Sequence, residues 1–207
     1  VAYQSTWYFS GLPDKIIESL EEDLNSKFGD QMGDSKLMGD ALNKEKRNSK
    51  NTWVPTTHWT AGLVWHYIER ANRENFLYDI RNIDGENMQY TEYGEGEFYS
   101  WHNDSGISCH YKPVSVGNLQ DETRHRDFIR ENLELVRKLS FVVQLSDCED
   151  YEGGNLQLLS EEGKSYFAPR KKGTVIVFDS RTPHRVLKVT KGKRKSLVGW
   201  VVGPRWK

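Results

Sequence analysis

The stretch Lys172-Gly173-Thr-Val-Ile-Val-Phe178-Asp-Ser-Arg-Thr-Pro-His184-Arg-Val-Leu-Lys-Val-Thr-Lys191-Gly192-Lys-Arg194-Lys-Ser196-Leu-Val-Gly-Trp200-Val-Val202 decides the fold. It contains three short runs rich in β-branched residues, at 174–178, 185–189 and 196–202, with Lys172-Gly173 and Lys191-Gly192 as turn signals. Such runs read as strands, and Gly next to a polar residue reads as a turn. The same grammar holds upstream, with strands expected at 139–145, 155–159 and 165–168 and turns at Gly153-Gly154 and Gly163-Lys164. Many short strands at close spacing point to a sandwich or jelly roll.

The N-terminal part differs. Leu12-Pro13-Asp14 opens a helix, with Ile16, Ile17, Leu20, Leu24 and Phe28 on one face at helical spacing. Residues 29–52 are polar and read mostly as loop, with short strands allowed within it. A second helix is expected over 60–73, carrying Leu63, Trp65, Tyr67 and Ile68. Residues 76–93 and 97–103 return to strand character, and 104–122 read as a long loop of the kind that is usually functional or disordered. Residues 123–138 have helical apolar spacing through Phe128, Ile129, Leu133, Leu135 and Val136. The expectation is therefore an α+β, mainly β fold over 1–207 as a single domain. A helical support region at 1–75 braces a jelly-roll core at 76–203, and an insert at about 105–138 is the candidate lid.

Composition sets bounds. The formal net charge is −1, so no overall field favours nucleic acid or an anionic membrane. Aromatics make up 12% of the chain, with seven Trp and ten Tyr, which suits a β-rich core or a lined cleft. No apolar run approaches the length of a membrane span, and residues 1–10 lack the features of a secretory signal. The two cysteines, Cys109 and Cys148, form no zinc spacing. A cytoplasmic protein with no membrane partner is the expectation.

The chemistry concentrates in three residues. Trp101-His102-Asn103-Asp104 ends a predicted strand, where residues two apart share a face, so His102 and Asp104 address one point. His184 follows the apolar strand 174–178, and a neighbouring strand can bring it back to that point. Two imidazoles and one carboxylate are the ligand set of non-haem iron(II), which leaves positions open for oxygen chemistry. An HxD pair alone is weak evidence, and the surrounding blocks add the specificity.

Tyr93-Gly-Glu-Gly-Glu-Phe-Tyr99-Ser-Trp-His102-Asn-Asp104 resembles the Tyr/Gly-rich lead into the metal motif of prolyl 4-hydroxylase-like iron(II)/2-oxoglutarate-dependent dioxygenases. Leu139-Ser-Phe-Val-Val-Gln144-Leu-Ser-Asp147 with Tyr151-Glu-Gly-Gly-Asn-Leu156 resembles their central strands. Lys172–Phe178, Pro183-His184-Arg-Val186, Gly192–Ser196 and Trp200 resemble their C-terminal end. The resemblance spans roughly residues 76–203. It implies a double-stranded β-helix, with His102, Asp104 and His184 as iron ligands and Arg194 as the residue that pairs with the far carboxylate of 2-oxoglutarate. It also implies Ser196 beside that arginine, and Tyr93 as a further contact with Tyr90 as its competitor. Gln144 would be a polar neighbour, and Tyr99 and Trp200 pocket walls. The implied cofactors are Fe(II), 2-oxoglutarate and O2, with ascorbate as reductant.

The implied reaction hydroxylates an unactivated C–H, foremost a peptidyl proline to 4-hydroxyproline, with release of succinate and CO2. A peptide or protein is the implied partner. A free amino acid, a small metabolite, a nucleic-acid base or a non-catalytic binding module are the alternatives. Base-demethylating relatives carry a second arginine where this chain has Trp200, which argues against nucleic acid. The six cations within 185–195 read as a solvated turn plus one buried arginine, because alternate strand residues face apart. His58, His66, His110 and His125 read as core or surface histidines, and Asp179 as a turn cap.

Overall fold

A computed structural model of the chain describes residues 5–37, 42–106 and 135–206. In chain order these form β1 (Thr6–Phe9), α1 (Asp14–Phe28), β2 (Gly33–Asp34), β3 (Arg47–Asn48), β4 (Lys50–Pro55), α2 (Thr60–Ala71), β5 (Asn82–Ile83), β6 (Asn87–Tyr93) and β7 (Phe98–His102). There follow β8 (Leu135–Gln144), β9 (Tyr151–Gly153), β10 (Leu156–Leu159), β11 (Ser165–Phe167), β12 (Val175–Asp179), β13 (His184–Val186), β14 (Val189–Gly192) and β15 (Arg194–Pro204).

The major sheet runs β1-β12-β8-β15-β6-β4-β2, with β5 paired to β15. The minor sheet runs β11-β10-β13-β7-β3, and β14 pairs with β9 apart from both. Every pairing is antiparallel. Strand parity divides the major sheet into two faces. On one face Met88, Tyr90, Leu139, Phe141, Val143, Leu197 and Val201 pack under Leu20, Leu24, Val64 and Ile68 of the two helices. On the other, Val142, Ile176 and Phe178 meet Leu156, Leu158 and Val186 of the minor sheet. Two antiparallel sheets enclosing a side-chain-lined space, with helices braced outside, make the expected jelly roll.

Close approach explains two glycines. Gly173 has φ +76°, and a Cβ there would lie 2.1 Å from Ile17 Cδ1, so α1 docks directly on the turn before β12. At Gly199 a Cβ would lie 2.4 Å from Phe141 Cζ, because that ring from β8 covers its partner position on β15.

Both helices form where the apolar spacing places them. Ile17, Leu20 and Leu24 are the buried face of α1, while Ile16 is exposed. Two expectations fail locally. Residues 135–138 are not the end of a helix but the start of β8, where Val136 pairs with Gly203 and Arg137 with Val202. The ladder supplied by β15 overrides the local helical spacing. The rest of that expected helix, and all of the expected lid except its two ends at 105–106 and 135–138, lie outside the described residues, together with Cys109, His110 and His125. The strand expected from residue 76 begins later. The chain leaves α2 through a π turn at Asn72–Phe76, reverses at Leu77 (φ 56°), and re-enters the sheet at β5 and β6. Strand β1, at the edge of the major sheet, was not expected. Among the described residues no helix is long and apolar enough to cross a membrane.

Candidate metal centre and its cavity

Strand β13 pairs with β7 so that His184 lies opposite His102. Asp104 follows β7, and its N–H donates to the carbonyl of Ser180 just after β12, which turns the carboxylate toward both rings. The ligand atoms of the three side chains all lie within 4.8 Å of one another. His184 Nε2 is 3.3 Å from Asp104 Oδ2, and His102 Nε2 is 3.7 Å from Asp104 Oδ1.

Each imidazole is held by its other nitrogen. His102 Nδ1–H donates to the Ser100 carbonyl at 2.8 Å, and His184 Nδ1–H to the Thr182 carbonyl at 2.9 Å. A carbonyl only accepts, so these bonds keep each Nδ1 as the donor and turn both Nε2 atoms toward Asp104, where each is a ligand atom once it carries no proton. Ser140 Oγ donates to Asp104 Oδ2 at 2.8 Å and lies 3.3 Å from Ser180 Oγ. Tyr99 stacks on His102 with ring centroids 3.6 Å apart, and Phe178 meets His184 edge-on.

The electrostatics suit a cation. Burial and the neighbouring His184 charge push His102 down to about 4, so it is neutral at neutral pH. Burial acts against the Asp104 carboxylate, but the His184 charge and hydrogen bond prevail and hold its pKa well below the usual range. Burial likewise opposes the His184 imidazolium, while the Asp104 charge and hydrogen bond raise its pKa overall. An ionised carboxylate with two oriented imidazoles is a donor set that fits a divalent transition metal and leaves the remaining positions open.

A cavity of roughly 470 Å³, counting its open mouth, extends from these three residues between the two sheets. Its floor is the inner face of β6 and β15. Tyr93 pairs with Arg194, Thr91 with Ser196 and Gln89 with Val198. Arg194 is 2% exposed, donates to Gln144 Oε1 at 3.0 Å, and lies 5.6 Å from the centre of the Tyr93 ring. Arg194 Nε, Ser196 Oγ and Trp200 Nε1 are buried with no hydrogen-bond partner among the described residues. Buried polar atoms are almost always satisfied, so three orphans around one cavity mark positions for a polar ligand.

The structure brings His102, Asp104, His184, Arg194, Ser196, Tyr93, Tyr99 and Trp200 to this one cavity. Tyr90 points the other way, fully buried under α1, with its hydroxyl donating to Asn25 Oδ1 at 2.5 Å. Gln144 touches Arg194 and donates to the Pro169 carbonyl. Asp179 accepts from the backbone and side chain of Arg181 and from Tyr78, as a turn cap does. The cations around Arg194 are engaged outside: Lys193 pairs with Glu92, Lys191 with Glu152, and Lys195 donates to Asn25. His58 is occupied by Thr60 and Asp23.

Sequence reading missed two groups. Ser140 and Ser180 carry no motif and become visible only through the β8–β12 pairing. Arg47 sits in the segment read as loop, yet it is 6% exposed, lines the cavity, and lies 4.8 Å above the Tyr99 ring.

Comparison with known proteins agrees with this geometry. A profile of the 2OG-Fe(II) oxygenase superfamily matches residues 88–202. A PKHD-type hydroxylase of a Synechococcus species is 37% identical over 97 residues, covering 46% of this chain and 41% of that protein. A PKHD-type hydroxylase of a Picosynechococcus species is 28% identical over 145 residues, covering 69% of this chain and 54% of that protein. The chain thus spans about half the length of these curated relatives. Among solved structures, a Pseudomonas putida prolyl-4-hydroxylase superposes with TM-score 0.68 at 18% identity, covering 97% of this chain and 93% of that one. A Trichoplax adhaerens prolyl hydroxylase, in complex with a hypoxia inducible factor peptide fragment, superposes with TM-score 0.69 at 18% identity over 96% and 84% of the two chains.

Proposed function

The chain belongs to the 2OG-Fe(II) oxygenase superfamily, and from that premise we propose that it is an iron(II)- and 2-oxoglutarate-dependent dioxygenase whose substrate is a peptidyl proline. The observation that carries the chemistry is one cavity holding both an oriented two-histidine, one-carboxylate set and a buried arginine that no carboxylate pairs with among the described residues.

In this reading His102, Asp104 and His184 hold the metal, and Arg194 grips the distal carboxylate of 2-oxoglutarate. A guanidinium binds a carboxylate through two parallel hydrogen bonds, and the orphaned Nε is one of the donors such a grip needs. Ser196 Oγ, two residues along the same face, adds a third donor. The Tyr93 ring beside the guanidinium fixes its plane. Iron(II) held by these residues would supply the four-electron reduction of O2, one oxygen atom passing to 2-oxoglutarate as it loses CO2 to give succinate and the other into the substrate C–H bond. The chain itself positions and dries the site: Val142, Phe178 and Val186 supply apolar walls, and Tyr99 and Trp200 line the remaining space. The proline assignment is supported by the prolyl hydroxylases among the structural neighbours, one of them with a peptide bound.

The test is succinate formation from 2-oxoglutarate with iron(II), with and without ascorbate, and with and without a proline-rich peptide. Mass spectrometry of the peptide reads the gain of one oxygen. Peptide-stimulated succinate with that mass gain is expected. Absence of both peptide-independent turnover and 2-oxoglutarate binding with manganese(II) overturns the enzyme reading. Turnover without oxygen gain on proline overturns only the substrate.

A further inference from the structure

The cavity has a second buried cation that the proposed chemistry leaves unused. Arg47 Nη2 donates to Gln89 Oε1 at 2.7 Å, its Nε donates to Ser49 Oγ at 3.1 Å, and its plane lies over Tyr99. All three partners are neutral. Among the described residues no carboxylate pairs with it. A guanidinium more than nine-tenths buried beside neutral dipoles keeps its charge in a low-dielectric site, where an anion is attracted strongly.

Register places this charge away from Arg194. Arg47 binds Gln89, which pairs with Val198, whereas Arg194 pairs with Tyr93. Four residues of strand separate the two positions on β15, roughly 13 Å of cavity floor. Trp200 lies two residues beyond Val198 on the same face, at the Arg47 end, and its Nε1–H is one of the orphaned donors. A buried guanidinium and an unused indole N–H thus mark the end of the cavity opposite the co-substrate arginine.

Charge balance points the same way. Among the described residues, the charged side chains lining the cavity are Arg47, Arg194 and Asp104, with the histidines neutral when they ligate. Iron(II) and the 2-oxoglutarate dianion cancel. One positive charge is left over, and one further anion neutralises it.

We propose that Arg47 and the Trp200 indole N–H form a carboxylate-binding subsite, and that the substrate carries a carboxylate next to the residue that is hydroxylated. The inference rests on the oxygenase reading of the same cavity and narrows its substrate to an acid. That acid is a proline with a free carboxyl group, alone or at a peptide C-terminus. An internal proline flanked by neutral residues does not satisfy the subsite.

The test is direct binding. The full chain, loaded with diamagnetic zinc(II) and 2-oxoglutarate, is titrated with N-acetyl-L-proline and, separately, with N-acetyl-L-prolinamide. Binding is read by calorimetry and by the Trp200 indole N–H resonance, assigned by its loss in Trp200→Phe. The acid binds at least tenfold more tightly than the amide and shifts that resonance, and Arg47→Gln removes the difference. Arg47→Lys, which keeps the charge but not the fork, retains part of it. L-proline and a peptide ending in proline, each against its amide, distinguish a free amino acid from a chain terminus. Equal affinity of acid and amide, or no detectable binding of either, overturns the proposal. So does an Arg47→Gln variant that loses 2-oxoglutarate itself, because Arg47 then serves the co-substrate. To separate this from failure of the oxygenase reading, zinc(II) and 2-oxoglutarate binding to the parent are measured first: a protein that binds neither fails that reading, whereas one that binds both and does not prefer the acid fails this proposal alone.

Discussion

Replacing Arg194 by Gln separates a ligand-binding role from a structural one, because the two predict opposite balances of affinity and stability. Arg194 is 2% exposed, and its one polar partner among the described residues is the neutral Gln144. A hydrogen bond to a charged group contributes about 1.5–3 kcal/mol. A two-point grip on a carboxylate therefore loses roughly 3 kcal/mol or more, about a hundredfold in 2-oxoglutarate affinity. In the ligand-free protein the terms oppose each other. Removing an uncompensated buried charge relieves a desolvation cost, while Gln144 Oε1 loses a donor, at about 1–3 kcal/mol. The melting temperature of the ligand-free variant is expected to stay within roughly 4 °C of the parent. Calorimetric titration of 2-oxoglutarate into manganese-loaded protein measures the first quantity, and thermal unfolding the second. Lys193→Ala and Lys195→Ala are the controls, since these lysines bind Glu92 and Asn25. Each is expected to change affinity less than threefold. Unchanged affinity in Arg194→Gln with a large loss of stability, or a lysine variant that loses more affinity, would refute the reasoning.

Four further outcomes follow from the geometry. His184→Ala removes a ligand and is expected to abolish retention of manganese or iron, measured as metal content after desalting. Ser140→Ala takes away the donor to Asp104 Oδ2 and is expected to weaken metal binding roughly 10–100-fold while leaving secondary structure unchanged by circular dichroism. Metal affinity is expected to fall as pH drops through neutrality, by about tenfold per pH unit for each proton displaced. The sign follows from His184, whose raised proton affinity makes it compete before His102, which is held down to about 4; a fall beginning only near pH 4 would contradict it. Gly199→Ala forces a methyl group against the Phe141 ring and is expected to cost about 1–3 kcal/mol, seen as a melting temperature lower by roughly 2–10 °C.

The parts of the site legible in sequence are those that strand periodicity determines. His102 and Asp104 are two apart, as are Arg194 and Ser196, so each pair shares a face whichever partner it finds. The choice between Tyr93 and Tyr90 was not legible, because it depends on the phase of β6 against β15. With Tyr93 opposite Arg194, Tyr90 has the wrong parity and goes to the helix side. Arg47 was hidden for a stronger reason. Nothing in its Lys/Arg/Asn-rich surroundings separates it from its neighbours, and only the pairing of β3 with β7, which sets Arg47 opposite Tyr99, carries it into the cavity. Residues 135–138 failed as a helix on the same principle, since their partners lie at the far C-terminus on β15. Local spacing reports which face a residue takes, and long-range register reports what it meets there.

That division also explains how one sheet carries both stability and chemistry. The outward face of β6, β8 and β15 is apolar and covered by α1 and α2. The inward face of the same strands alternates to Gln89, Thr91, Tyr93, Ser140, Arg194 and Ser196, which would be costly in a closed core. The hydrophobic packing on one side holds these polar groups in place on the other, so donors and two guanidiniums that find no anionic partner among the described residues persist without the sheet collapsing on them. A polar ligand therefore enters a site whose desolvation has already been met by folding, and the fixed geometry of the strands directs it toward His102, Asp104 and His184.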